Sequence, residues 1–261
     1  MLLIAGPCAI EDRDTALLIA ERVKELAEKL GFEYVFKGSY QKANRTRLDS
    51  FTGIEPEKAL QILREVGEQF EIPVLTDVHE SQECDWVASY VDYLQIPAFL
   101  CRQTELLLAA GRTGKKINIK KGQFLSPEAM HFAQEKVQST GNPHVWVTER
   151  GTTFGYESLV VDMTGIPRMQ AWGAKVIMDC THSVQKPNQN SGITGGDAGL
   201  IATLCKAAVA AGVDGLFIEV HPEPAKAKSD AASMLRLDKL EDILIQAKQI
   251  REALTSSDEK L

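Results

Sequence analysis

Eight times along the chain, a short apolar run ends abruptly in charged residues and gives way to a stretch with helical spacing. The runs are Leu2–Ala5, Tyr34–Lys37, Pro73–Thr76, Tyr93–Ile96, Lys116–Ile119, Val145–Thr148, Lys175–Met178 and Gly215–Ile218. They are brief and continuously apolar, as strands buried on both faces must be. Between them lie helical patterns. Asp14 is a predicted cap before Ile19, Val23, Leu26 and Leu30, with Gly31 as the stop. Pro56 opens a helix whose face is Leu60, Leu63, Val66 and Phe70. Ser81 caps a short helix, Thr104–Ala110 is another, and Ser126, Pro127 and Glu128 open the fifth. Met163–Trp172 is a short, proline-interrupted piece, and Ala198–Ala211 and a helix from about Leu237 to Leu254 close the series. Eight strand–helix units predict a (β/α)8 TIM barrel, one domain over residues 1–261, close to the typical ~250 residues of that fold. A doubly wound open sheet is the runner-up, but its dinucleotide version expects a GxGxxG after the first strand, and none is there.

With 44% hydrophobic and 25% charged residues, the composition is that of a globular protein. A net charge of -7 argues against nucleic-acid or anionic-membrane partners. Five irregularly spaced cysteines point to a reducing compartment. MLLIAGPCAIE lacks a basic leader region, and no stretch is long and apolar enough to span a membrane, so a cytoplasmic location is expected.

In a barrel all strand C-termini open on one face, so the polar residues that end the runs converge. The cations are Lys37, Lys42, Arg45, Lys120 and Arg150, with Arg102 and Lys121 near. Such a set repels itself unless anions sit within it, and it suits two charged substrates, or one with two charged ends. A second set is Cys8, His182, Glu219 and, in the loop after the last strand, Asp230. Strands one, seven and eight are neighbours in a closed ring, so these side chains are placed to surround one divalent transition metal. His79 and His221 are rival ligands that spacing does not exclude. Asp77, Glu149 and Asp179 remain as acid–base or supporting groups. Cys84, Cys101, Cys180 and Cys205 read as packing residues, and Trp86, Trp146 and Trp172 as core aromatics.

These residues fall in segments that resemble one family, the 3-deoxy-D-manno-octulosonate 8-phosphate synthases, also called 2-dehydro-3-deoxyphosphooctonate aldolases. The segments are AGPCAIE, FKGSYQKANRT, LTDVHES, LQIPAFLCRQTELL, NIKKGQF, VTERGTTFGY, VIMDCTHSVQ and EVHPEP with the SD that follows. They run from Ala5 to Asp230. Lys-Ala-Asn-Arg at Lys42–Arg45 distinguishes this family from the related 3-deoxy-7-phosphoheptulonate synthases, which carry Lys-Pro-Arg-Thr there.

The resemblance implies a homotetrameric barrel transferase of lipopolysaccharide biosynthesis that joins phosphoenolpyruvate to arabinose 5-phosphate and releases phosphate. It implies that Lys37, Lys42, Gln95, Lys120 and Arg150 hold phosphoenolpyruvate. Asn44, Arg45, Thr46 and Asp77 would hold the sugar phosphate, and Arg102 would reach its phosphate from a neighbouring subunit. Lys42, His182 and Asp230 would take catalytic roles. Cys8 marks the metal-requiring branch, with His182, Glu219 and Asp230 as co-ligands. A thiolate, an imidazole and two carboxylates favour zinc or ferrous iron over magnesium. The chain departs from the family pattern at Gly38, Tyr40 and Thr46, lacks a proline in Ser233–Leu237, and carries Asn188–Asn190 in a stretch, Lys186–Asp197, expected to be mobile.

Overall fold

The computed structural model describes residues 1–154, 158–187, 189–190 and 194–258. Gly155 and Tyr156 of VTERGTTFGY, Asn188 and residues 191–193 of the Gly- and Asn-rich stretch, and residues 259–261 lie outside the described residues. Eight parallel strands make the barrel, β1 (Leu2–Gly6), β2 (Glu33–Lys37), β3 (Val74–Asp77), β4 (Tyr93–Ile96), β5 (Lys116–Lys120), β6 (Val145–Glu149), β7 (Lys175–Asp179) and β8 (Gly215–His221), and the two-residue strand Leu235–Arg236 adds to the sheet beside β8. Each pairs with the next, and β1 pairs with β8 in the register Leu2 to Gly215 through Gly6 to Glu219, so the sheet closes. Helices follow the strands: α1 (Arg13–Leu30), α2 (Pro56–Phe70), α3 (Cys84–Ala88), α4 (Thr104–Arg112), α5 (Met130–Gln138), α6 (Gly165–Gln170), α7 (Ile201–Ala210) and α8 (Leu240–Asp258). This is the (β/α)8 barrel that the alternation predicts.

Several local expectations are corrected. Asp12, not Asp14, caps α1, because its carboxylate reaches the Thr15 amide at 2.8 Å. Ser126 opens only a turn, and α5 proper starts at Met130. Single 3-10 turns precede α7 and α8, so both helices start later than their apolar patterns do. Trp86 is 40% exposed, its ring edge set against Tyr40 and Tyr90, and so is not a core aromatic. An exposed hairpin, Thr152–Phe154 with Ser158–Val160, follows β6 without a sequence signal. Within the stretch expected to be mobile, Gln185–Lys186 and Gly195–Gly196 pair antiparallel.

The apolar runs bury both faces. One cluster lies between sheet and helices, where Ile19 and Val23 of α1 and Leu60 and Leu63 of α2 meet Leu3, Phe36 and Leu94. The other fills the barrel: Leu2, Ile4, Val35, Leu75, Tyr93, Ile177 and Phe217, with Trp146 packed against them. Side chains two apart on a strand share a face. On six of the strands the residue two places after the plug therefore also points inward, one layer nearer the C-terminal mouth. Those positions are Lys37 after Val35, Asp77 after Leu75, Gln95 after Tyr93, Thr148 after Trp146, Asp179 after Ile177 and Glu219 after Phe217. All six are buried. The apolar plug thus forms the floor of a polar chamber.

Candidate active site

Two loops rise side by side from the mouth. After β1, Ile10 N–H donates to the Ser39 carbonyl at 2.9 Å, and Ser39 N–H to the Cys8 carbonyl at 3.3 Å. These bonds tie the Cys8 segment to the Phe36–Thr46 segment. The latter is anchored again by Tyr40 N–H on Thr76 Oγ1 at 3.1 Å and Lys42 N–H on the Thr52 carbonyl at 2.7 Å. The loop after β8 closes over both. Lys228 N–H donates to Glu11 at 2.7 Å, and Arg45 Nη1 to Ser229 Oγ at 2.9 Å. Asp230 holds φ 50°, a left-handed conformation rare for a residue with a Cβ, and its carbonyl accepts from Ser233 N–H at 3.0 Å. Such backbone strain persists where surrounding contacts enforce it, and it clusters at functional sites.

Cys8 Sγ, a Glu219 carboxylate oxygen and an Asp230 carboxylate oxygen all lie within 4.8 Å of one another. Cys8 Sγ is 3.0 Å from Asp230 Oδ2 and 3.2 Å from Ser229 Oγ. His182 Nε2 faces the same group, 3.6 Å from Glu219 Oε2 and 3.9 Å from Asp230 Oδ2. Its other nitrogen, Nδ1, is 2.7 Å from Asp179 Oδ2, and Asp179 Oδ1 accepts the amides of Thr181 at 3.0 Å and His182 at 2.8 Å. With Nδ1–H committed to Asp179, Nε2 confronts two carboxylates across a short gap. A proton or a metal ion on Nε2 reconciles them, and a thiol beside two carboxylates is a donor set that suits a divalent transition metal. The residues present therefore fit a metal ion. The rivals are engaged elsewhere: His79 Nε2 contacts Asp77 at 3.1 Å, and His221 Nδ1 accepts from the Glu223 amide at 3.0 Å.

The cations sit beside this group, and the chamber is more nearly neutral than the sequence implied. Lys37 Nζ donates to Glu219 Oε1 and to the Cys8 carbonyl, each at 2.7 Å. Lys120 pairs with Asp179 and lies 3.4 Å above the centre of the Phe217 ring. Lys42 Nζ is 4.0 Å from Asp230. Among the described residues, the hydrogen-bond partners of the Arg150 side chain are neutral, Gln185 Oε1 at 2.9 Å and the His182 carbonyl at 3.3 Å. Gln95 accepts from Asn118 at 3.0 Å, and Thr148 bonds Asn118 in turn. Among the described residues, the side-chain polar atoms buried without a hydrogen-bond partner include Asp77 Oδ1 and Arg45 Nε, one acceptor and one donor. Asn44 and Thr46 lie at the exposed rim. Arg102 is exposed on the loop after β4. Glu149 points away and binds the Arg150 and Gly151 amides and Lys121.

Electrostatics follow from this packing. Burial pushes the Cys8 thiol well up, and Asp230 and Glu219 push it further, so only a cation held against the sulfur would make it a thiolate near neutral pH. Burial would raise Asp230, but Lys42 and His182 outweigh it and bring it to about 2. Burial would lower Lys42, but Cys8, Glu219 and Asp230 hold it above the ordinary lysine range. At Lys120 burial wins over Asp179 and lowers the ammonium to about 8.

The sequence left Asn118, Thr148 and Ser229 without a place in the site. The first two interrupt apolar runs at inward positions, a signal that period two would have exposed. Ser229 touches Cys8 from 221 residues away, and nothing local gives it that role; Thr181, at the end of β7, accepts the Glu219 amide at 2.9 Å.

A closed barrel whose strand ends gather buried lysines, an arginine and a Cys–His–carboxylate group has its chemistry where barrel enzymes keep theirs. Residues 1–256 match the model of the DAHP synthetase I family, and the chain belongs to that family. It is also similar to proteins named 2-dehydro-3-deoxyphosphooctonate aldolase from Brucella ovis, Brucella melitensis and Brucella abortus, 51% identical over 94% of this chain and 88% of each relative. No helix among the described residues is long and apolar enough to cross a membrane.

Proposed function

We propose that this chain is a 3-deoxy-D-manno-octulosonate 8-phosphate synthase. It condenses phosphoenolpyruvate with D-arabinose 5-phosphate and water to give the eight-carbon sugar acid phosphate and inorganic phosphate, a step toward lipopolysaccharide. The observation that carries this reading is the joining of buried cations and a metal-competent Cys8–Glu219–Asp230 group in one chamber, in a chain half identical to aldolases of that name.

Lys37, Lys42, Gln95, Lys120 and Arg150 hold phosphoenolpyruvate. Asn44, Arg45, Thr46 and Asp77 hold the sugar phosphate; the unpartnered Arg45 Nε suits a phosphate oxygen and Asp77 Oδ1 a sugar hydroxyl. Cys8, His182, Glu219 and Asp230 hold the metal, zinc or ferrous iron by the softness of the thiolate. A divalent ion there would engage Glu219 and Asp230, and so release Lys37 and Lys42 to bind anions. The whole chain, 1–261, acts as one barrel domain in a cytoplasmic homotetramer. Five free, buried cysteines support the reducing compartment. Exposed Phe99, three residues from exposed Arg102, supports a neighbouring subunit at that loop.

The reaction forms a bond between the enol carbon C3 of phosphoenolpyruvate and the sugar aldehyde carbon. Electron density moves to the aldehyde oxygen, and positive charge develops at C2. Water adds to C2 and loses one proton; the C2–phosphate C–O bond then breaks with its electron pair going to phosphate, as the C2 hydroxyl becomes the carbonyl and its proton leaves with inorganic phosphate. Lysines and arginines fix the two anions side by side, and so supply proximity and screen their repulsion. Lys42, held protonated, is placed to donate to the oxygen that gains charge. Asp230, ionised across the working pH range, is placed to accept a hydrogen bond from the water and so orient it. Asp179 fixes the His182 ring through Nδ1. A bound metal supplies Lewis acidity that polarises the aldehyde or orients water.

The test is phosphate release from phosphoenolpyruvate with each of two sugars. Turnover with arabinose 5-phosphate and little with erythrose 4-phosphate is expected from the Lys42–Arg45 sequence. Comparable turnover with the four-carbon sugar would instead identify a 3-deoxy-7-phosphoheptulonate synthase.

A further inference from the structure

Ser229 stands between the two halves of the site. Its side chain is 2% exposed, and its Oγ is 3.2 Å from Cys8 Sγ and 2.9 Å from Arg45 Nη1. A serine hydroxyl has one proton to give and lone pairs to accept with, whereas a guanidinium only donates. Arg45 therefore occupies a lone pair of Oγ and leaves its proton for another acceptor. With Cys8 as a neutral thiol, the sulfur is itself the donor. Once a metal holds Cys8 as a thiolate, the sulfur only accepts, and the Ser229 proton points to it. The neighbouring Asp230 keeps its strained φ of 50° in the same loop, so both ends of this contact are tightly placed.

We propose that Ser229 is a positioning residue for the Cys8 thiolate: oriented by Arg45, it gives its hydroxyl proton to the sulfur. This rests on the metal-holding role of Cys8 proposed above. The contact draws electron density from the sulfur and fixes its lone pairs. It also makes the cation assigned to the sugar phosphate a supporting partner of the metal ligand. Outer partners of this kind change metal affinity by roughly 10–100-fold when removed.

The probe is Co2+ alone, added to the metal-stripped full-length protein and followed by the thiolate-to-cobalt charge-transfer band. Ser229→Ala should move that band to longer wavelength, because an unbonded thiolate is a better electron donor, and should weaken Co2+ binding by about 10-fold. Arg45→Ala should move it the same way by less, and the double variant no further than Ser229→Ala. Ser233→Ala loses a hydroxyl contact to the Asp230 carbonyl in the same loop, at 3.2 Å, without touching the sulfur. It should leave the band in place, which separates a loop effect from a sulfur effect. A Ser229→Ala band that coincides with wild type, or moves only as far as that of Ser233→Ala, overturns the proposal while leaving Cys8 a ligand. A wild-type protein with no such band overturns the role of Cys8, and this proposal with it.

Discussion

Asp77, His79 and Glu83 show how the site uses charge at the level of single residues. Burial would lower the His79 imidazole, but hydrogen bonds to Asp77 and Glu83 outweigh it and raise it to about 9. In the unfolded chain a histidine titrates near ~6.5. A raised folded-state value means that the protonated ring favours the native state. That contribution is fully present below about pH 6.5 and is lost as pH climbs through about 9. His79→Gln removes it. The stability gap between wild type and this variant, read by urea unfolding, is expected to be largest in mild acid and to shrink across that window. A gap that does not change with pH would mean that His79 is not held as a cation between the two carboxylates. The same ring fixes Asp77 through Nε2 at 3.1 Å, leaving Asp77 Oδ1 buried without a partner among the described residues.

At the level of elements, one rule positions most of the site: an apolar plug, then two residues later a polar group at the mouth. β1 is where spacing matters most. A Cβ on Gly6 would collide with the carbonyl oxygen of Lys37 on the adjacent strand. Gly6→Ala is therefore expected to cost about 1–3 kcal/mol by overpacking, and to raise the KM for phosphoenolpyruvate by displacing Lys37. Urea unfolding with steady-state kinetics checks both. The same rule explains what could be read from sequence. The eight strands were legible because both their faces are buried and their runs are continuous. Lys37, Asp77, Gln95, Lys120, Asp179 and Glu219 were legible as strand ends. Helix starts were less so: Asp12 and Asp14 are chemically equal as caps, and only the reach of Asp12 to Thr15 chooses between them. The hairpin after β6 escaped because its strands are mostly exposed and carry no alternating pattern. Ser229 escaped because its position is set by Arg45 and Cys8, about two hundred residues away in the chain. The mutual neutralisation of lysines and carboxylates was also invisible, since pairing such as Lys37 with Glu219 depends on the register of β1 with β8 and β2.

For the whole molecule, two features reach beyond a single barrel's chamber. Arg102 is exposed, while its own chamber is already supplied with cations. If it serves a neighbour's sugar phosphate, Arg102→Ala should raise the KM for arabinose 5-phosphate and leave that for phosphoenolpyruvate nearly unchanged. Losing a charge-assisted contact costs on the order of 1.5–3 kcal/mol. A defect confined to phosphoenolpyruvate would contradict the assignment, and a monomer by native mass would remove its cross-subunit part. The second feature is the placing of buried cations beside the Cys8–Glu219–Asp230 group; if that group holds a metal, as proposed, turnover depends on an ion that neither substrate brings. The direct measurement is phosphate release from phosphoenolpyruvate and arabinose 5-phosphate before chelation, after chelation, and after zinc or ferrous iron is restored, with metal content followed by elemental analysis. Turnover is expected to fall to background as metal is lost and to return with the added ion; full turnover by a protein with no detectable metal would contradict the account.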